Sequence, residues 1–230
     1  VQISTRHELA VGGLTPLTII DLPGCLSAVV FCQGCPWRCG YCHNPELIPR
    51  RSRAALDWTQ VMAFLERRRG LLDAVVFSGG EPTLQKGLPD AVRAVKGQGF
   101  QVALHTAGPY PERLARLLCD LDWVGLDIKA PFDRYDRITG VPGSGQRARE
   151  SARLVLESGV TCEFRTTVDE ALLVPGELVD LAQDLSGLGA RNYVLQECRS
   201  PADPQKRVPI PDEVIGGVEP LFERFTVRRA

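Results

Sequence analysis

The chain has no excess charge of either sign: 27 basic residues stand against 28 acidic ones, a net charge of −1. That balance offers no general attraction to nucleic acid or to an anionic membrane surface, so neither is expected as a partner. No apolar run approaches the roughly 18 residues that a membrane span needs. The opening segment, VQISTRHELAVGG, has no charged stretch leading into an apolar one, so no secretory signal is read there. No linker and no second composition regime interrupts the sequence, which reads as a single α/β domain over 1–230. Also missing is the even spread of cysteines that marks a short secreted disulfide scaffold. Of the eight cysteines, Cys32, Cys35, Cys39 and Cys42 are bunched, while Cys25, Cys119, Cys162 and Cys198 are scattered. This usage points to a reducing cytoplasm, with the bunch kept as thiolates for metal and the scattered four as small buried apolar residues.

What is present is an alternation of two periods. Short apolar runs at 27–31, 74–78, 101–105, 123–129, 162–168 and 192–196 read as strands covered on both faces. Between and after them, helical spacing appears at 57–70, 88–99, 112–119, 146–158, 176–186 and 212–222. Asp57 can cap the first helix, and Gly70 and Gly159 can stop the first and fourth. The stretch GVPGSGQ (140–146) falls between a strand and its helix. Strand–helix units in this order predict right-handed crossovers and a parallel sheet. Either an open doubly wound sheet or a curved part-barrel satisfies the pattern.

In both architectures ligands meet the sheet at the carboxyl ends of the strands. The chemical side chains gather there. The cysteine run follows the first strand, and SGGEP (78–82) follows the second. His105 and Thr106 end the third strand, Asp127 and Lys129 the fourth, and Gln196 and Glu197 the sixth, while Arg165 lies within the fifth.

The cysteines of CQGCPWRCGYCHN stand at gaps of two, three and two residues. Three readings fit. Two Cys-x2-Cys hooks could close a zinc site, with His43 as a spare ligand. Four thiolates could saturate a [4Fe–4S] electron-transfer cluster. Or Cys35, Cys39 and Cys42 alone could hold such a cluster and leave one iron open to a small molecule. Spacing does not choose among them. Cys32 closely follows the apolar run and reads as a buried thiol of the strand, with a fourth ligand as the alternative. Tyr41 places an aromatic just before the last thiolate. Gly79 and Gly80 allow close backbone approach, and Glu81 can accept from an amine.

With Tyr41 inside its last gap and SGGEP one unit later, the cysteine triad resembles the radical S-adenosylmethionine (SAM) superfamily. GLTPLTIIDLPG, CPWRCGYCHNPEL, FSGGEPTLQ and LDIKAP are similar to activating enzymes of glycyl-radical enzymes, above all those of anaerobic ribonucleoside-triphosphate reductase. The resemblance implies a partial (β/α)6 barrel with a curved parallel sheet, a [4Fe–4S] cluster and SAM. It implies reductive cleavage of SAM to methionine and a 5′-deoxyadenosyl radical, which takes hydrogen from a glycine of a partner. Anaerobic ribonucleotide reductase would be that partner, and a flavodoxin or ferredoxin-type protein the electron donor.

By the same resemblance, Cys35, Cys39 and Cys42 would ligate the cluster and Tyr41 would lie by the adenine. Ser78, Gly79, Gly80 and Glu81 would hold the methionine amine, and Asp127 and Lys129 would lie near the SAM carboxylate and ribose. Arg165 would contact SAM. One departure is plain. Activating enzymes often carry Asp-Thr-Asn-Gly after the third strand, where the carboxylate helps to hold a monovalent cation; this chain has His105-Thr106-Ala107-Gly108. A neutral imidazole is a poor ligand for a hard cation, so His105 would instead bond a SAM oxygen or end the strand.

Blander readings stand beside these. Asp127 with Lys129, and Arg165 with Glu163, could be structural ion pairs. Trp37 could pack the cysteine loop or touch a partner. His43 could donate to a cluster sulfur or be an ordinary loop residue. RRSR (50–53) and RRR (67–69) read as solvated helix ends. The rival functions are a radical SAM enzyme acting on a small molecule, such as a 7-carboxy-7-deazaguanine synthase-like enzyme, and a non-catalytic four-cysteine electron-transfer or zinc protein.

Overall fold

In a computed structural model, residues 9–51, 56–169, 173–198 and 209–229 are described. The first eight residues of the opening segment, Ser52 and Arg53 of the RRSR run, and Arg199 and Ser200 lie outside them. The elements run β1 (Val11–Thr18), β2 (Ser27–Cys32), α1 (Trp58–Glu66), β3 (Ala74–Gly79), α2 (Leu88–Gly97), β4 (Gln101–Thr106), α3 (Pro111–Ala115) and β5 (Trp123–Asp127). They continue with α4 (Tyr135–Thr139), α5 (Ser144–Ser158), β6 (Thr161–Val168), α6 (Pro175–Gly187), β7 (Asn192–Glu197), α7 (Asp212–Val218) and β8 (Arg224–Arg228).

The strands form one sheet in the order β1 to β8. β1 is antiparallel to β2, and β2 to β8 are parallel. Each strand lies beside its predecessor, so the order never reverses. A doubly wound sheet needs such a reversal at its switch point. The sheet is therefore singly wound, the curved wall of a partial barrel.

Alternation along the strands sorts the side chains between two faces. Ala28, Val30, Val75, Phe77, Val102 and Leu104 are fully buried in the cluster shared with the helices, which contribute Val61 and Leu65 of α1 and Val92 and Val95 of α2. The opposite, concave face carries Val29, Ala74, Val76, Ala103 and Trp123, a second cluster closed by Leu22 from the β1–β2 hairpin. By the same alternation, Ser78, His105, Asp127 and Arg165 share that concave side.

The six expected strands appear as β2 to β7, and the sheet is longer by one strand at each edge. The region before residue 27 contains β1, an irregular strand with register shifts around Gly13 and Thr18. Pro16 and two glycines hide it, and an edge strand tolerates both. β5 stops at Asp127 rather than Lys129, because the Lys129 N–H is taken by the Tyr135 hydroxyl instead of a neighbouring strand. The glycine-rich stretch at 140–146 joins α4 to α5 rather than a strand to a helix. The third predicted helix shrinks to α3 plus a 3₁₀ turn, Leu118–Asp120. Of the four scattered cysteines only Cys198 is fully buried; Cys25 and Cys162 are half-buried, and Cys119 is exposed on the 3₁₀ turn.

Candidate active site at the carboxyl rim

The cysteine loop leaves β2 and is fastened to the turn after β3 by backbone bonds. Gly80 N donates to Cys32 O at 2.9 Å, and Glu81 N donates to Gly34 O at 2.8 Å. Gly34 N and Cys35 N donate to the carbonyls of Leu47 and Ile48 at 2.7 and 3.0 Å. This contact requires the glycines of SGGEP. A Cβ on Gly79 (φ +110°) would lie 2.5 Å from Cys32 N, and one on Gly80 would lie 2.4 Å from Gly34 O. The close approach they permit is first to the chain's own cysteine loop.

All eight cysteines are free. Cys32 is fully buried on the same strand face as Ala28 and Val30, a strand residue rather than a loop residue. Cys35, Cys39 and Cys42 are half-buried in the loop. Burial, with a smaller contribution from Glu81, pushes the Cys35 thiol up to about 12. Burial also raises Cys39, against the opposing charge of Lys129. Unmetallated, Cys35 and Cys39 are thiols, and binding a soft metal centre would release their protons. Among the described residues no three His, Cys, Asp or Glu side chains form a ready-made set around a single metal position.

Three soft donors on one irregular loop do fit an iron–sulfur cluster. Trp37, between Cys35 and Cys39 in sequence, fits as well: its indole N–H is buried without an acceptor among the described residues, and sulfur can accept a hydrogen bond. The ring is 1% exposed and stands edge-on to Tyr135 at 5.7 Å, so Trp37 packs the loop. His43 is exposed, with its Nε2 3.7 Å from Cys198 Sγ.

Glu81 is 1% exposed and already well bonded. Its Oε1 accepts from Thr83 N at 3.0 Å, from the Thr83 hydroxyl and from the Thr106 hydroxyl at 2.7 Å. Its Oε2 accepts from Ala107 N at 3.0 Å. Glu81 thus caps the 3₁₀ turn Pro82–Leu84 and clamps the ends of β3 and β4 together, and Oε2 keeps acceptor capacity for a ligand. Burial raises its pKa, against those donors. Thr106 serves this clamp.

On the next strands Arg165 Nε and Nη2 both donate to Asp127 Oδ1, each at 2.8 Å, which leaves Oδ2 outside the pair. The guanidinium reaches across Gly125, where a Cβ would lie 2.9 Å from Arg165 Cζ. Burial works against ionised Asp127, but Arg165 and then Lys129 overcome it and hold the carboxyl low. Lys129 does not pair with Asp127 directly; its Nζ stands 5.5 Å over the buried ring of Tyr41. The expected Arg165–Glu163 pair is not the one formed either, since Glu163 bonds Arg228 at 2.8 Å. His105 Nε2 donates to the Asp21 carbonyl at 2.8 Å and lies 3.2 Å from Arg165 Nη1. One ring nitrogen carries a proton or a lone pair, not both, so the shorter contact is the hydrogen bond. Burial, then the charge of Arg165, lowers the His105 pKa to about 3 and keeps the ring neutral.

The structure thus brings Ser78, Glu81, His105, Thr106, Asp127, Lys129 and Arg165 to the strand ends beside the loop of Cys35, Cys39, Tyr41 and Cys42. Sequence reasoning missed the tie from His105 to the hairpin carbonyl of Asp21 and the Glu163–Arg228 pair; no local signal marks either, because both join residues far apart in the chain.

A family model described as the radical SAM superfamily matches residues 29–185. A protein of Methanocaldococcus jannaschii, named among glycyl-radical enzyme activating enzymes, is 30% identical over 213 residues, covering 88% of this chain and 87% of that protein. The pyruvate formate-lyase-activating enzyme of Streptococcus mutans is 34% identical over 184 residues, covering 74% of this chain and 66% of that enzyme. In fold, the chain is similar to a radical SAM methyltransferase from Sphaerobacter thermophilus, with a TM-score of 0.69 at 20% identity over 93% of this chain and 68% of that one.

Proposed function

The chain belongs to the radical SAM superfamily, which uses a [4Fe–4S] cluster and SAM, and on that premise we propose that it activates a glycyl-radical enzyme, an anaerobic ribonucleoside-triphosphate reductase. The observation that carries the reading is the alignment of three half-buried loop thiols with Glu81 and the Asp127–Arg165 pair along one rim. The near end-to-end match to a relative named for activating glycyl-radical enzymes supports it. The choice of reductase rests on the phrases GLTPLTIIDLPG and CPWRCGYCHNPEL.

When bound, the cluster and SAM supply a reducing electron and an organic radical able to abstract hydrogen. The chain's own residues do the rest. Cys35, Cys39 and Cys42 would hold the cluster as thiolates. Glu81 Oε2 would accept from the methionine amine, with Ser78, Gly79 and Gly80 lining the same turn. Asp127 Oδ2 and Lys129 would meet the ribose and carboxylate, Arg165 would add fixed positive charge, and Tyr41 would lie by the adenine. Leu22 and the apolar lower half of the concave face exclude water from beneath. A flavodoxin or ferredoxin-type donor would deliver the electron in the cytoplasm.

The test is anaerobic reconstitution with iron and sulfide, then reduction and EPR with and without SAM. A SAM-dependent change in the reduced signal and formation of 5′-deoxyadenosine are expected, both lost in Cys39→Ala and both kept in Cys32→Ala. With the reductase added, a protein-centred radical should appear on that partner. Turnover of a small molecule without any protein partner would overturn the activase assignment. Loss of the cluster in Cys32→Ala would overturn the three-thiolate site.

A further inference from the structure

Below the rim, the concave face holds a second pair of opposite charges that the site above does not use. Glu163 lies on β6 two residues before Arg165, on the same face and roughly 7 Å down the strand. It is 4% exposed. Its Oε2 accepts from Arg228 Nη2 at 2.8 Å. Its Oε1 is buried and, among the described residues, has no hydrogen-bond partner. Arg228 reaches it from the edge strand β8, and its side chain is 30% exposed. A carboxylate oxygen orphaned in the interior destabilises the fold unless something donates to it.

The chemistry of the missing donor can be narrowed. Asp127 is compensated by Arg165 and Glu163 by Arg228, and His105 is neutral. The interior therefore carries balanced charge and has no surplus to attract an ion. What it offers is one free acceptor beside a guanidinium with N–H groups to spare. An acceptor next to a donor is the complement of one residue of an extended backbone, whose own N–H and C=O point to the same side.

We propose that Glu163 and Arg228 form a peptide-binding subsite beneath the SAM-facing rim, in which Glu163 Oε1 accepts a backbone N–H of the partner's glycine-bearing segment and Arg228 donates to an adjacent carbonyl. The subsite deepens the activase reading and rests on it. It makes the pair a specificity determinant for an extended backbone rather than for a charged small molecule.

The probe is a mixed-sequence pool of N-acetylated, C-amidated heptapeptides with a central glycine, presented to the reconstituted, SAM-loaded protein in equilibrium dialysis with mass-spectrometric readout. The best binder is then remade with single amide N–H groups replaced by ester oxygens. Glu163→Gln and Arg228→Met are each expected to weaken peptide binding at least tenfold while changing SAM binding by less than twofold. One ester is expected to cost wild type about as much as Glu163→Gln does, and to cost that variant almost nothing further. Peptide binding indifferent to both substitutions would overturn the subsite alone. A wild type that cleaves SAM on reduction yet binds no peptide would overturn the subsite and the activase reading together. Should Glu163→Gln fail to fold, Arg228→Met and the ester series on wild type decide the matter without it.

Discussion

Glu81 combines two tasks that pull on the same carboxylate. Four donors from Thr83, Thr106 and Ala107 converge on it, so most of its acceptor capacity is structural. Glu81→Ala would leave these donors buried and unpaired, at about 1–3 kcal/mol each when nothing relaxes. Metal-free Glu81→Ala is therefore expected to unfold in urea with a loss of at least about 2 kcal/mol, in addition to weaker SAM binding. Unchanged stability with reduced SAM affinity would mean that the clamp is idle and the carboxylate serves only the ligand. His105 makes a different prediction. Its folded pKa is about 3, whereas an unfolded histidine titrates near 6.5, roughly. The unfolded chain thus binds the extra proton first, and stability falls as pH drops from about 6.5 toward 3 and is flat above that window. Burial sets this shift; Arg165 and Arg228, which face the ring, add to it, while Asp127 and the Asp21 carbonyl oppose it. His105→Asn should remove up to one proton from the slope of unfolding free energy against pH in that range. An unaltered slope would show that the ring is protonated in the native state.

Among the elements, α4 is a five-residue helix held by a charged tether. Arg134 at its N-cap and Arg137 in its last turn both bond Glu177 of α6, Arg137 Nη2 at 2.8 Å from Oε2. Glu177 also accepts from Val174 N at 3.1 Å, closing the start of its own helix. Its carboxyl is drawn down to about 2, chiefly by Arg137. A depressed acid stabilises the fold above its unfolded pKa and loses that contribution as pH falls through the window from about 4.3 to 2. Both arginines are about half exposed, so screening reduces the contribution to the order of 1–2 kcal/mol. Glu177→Gln should lower the thermal midpoint at pH 7 and converge with wild type near pH 2; a constant gap across that range would rule out the ion pairs as the cause. Six strands and most helices were legible because each repeats a period over several residues. α1 was legible to its cap, since Asp57 does accept from Thr59 N at 2.7 Å. α4 was not: five residues, YDRIT, hold too little periodicity to register. β1 and β8 were missed because an edge strand needs neither a buried alternation nor freedom from proline. In the site, the residues of contiguous motifs could be read directly. Side-chain partners across strands, such as Arg165 with Asp127 rather than Glu163, depend on register and on the space left by Gly125, which no single stretch encodes.

At the scale of the whole molecule, the site is a property of the sheet. Its groups come from the ends of β2 to β6, so no subset of strands can assemble it. The centre of that wall is dry: Val102, Ala103, Leu104, Val124 and Leu126 are fully buried. β8 at one edge alternates between exposed and half-buried residues, and β1 at the other carries the register breaks. Amide protection follows burial and pairing. Native-state hydrogen exchange is expected to release β3 to β6 only through global unfolding, and β1 and β8 through smaller local openings at lower free energy. Arg228 joins β8 to β6 through Glu163, so Arg228→Met should speed exchange in β8 and leave β4 unchanged. SAM binding by the reconstituted protein should then vanish with the β4 protection in a single denaturant transition, after β8 has already opened. If β8 proves as protected as β4, the edge is held by something other than this pair. If SAM binding is lost together with β8, the rim depends on the edge strand more than its side-chain contacts indicate, and the five-strand account of the site fails.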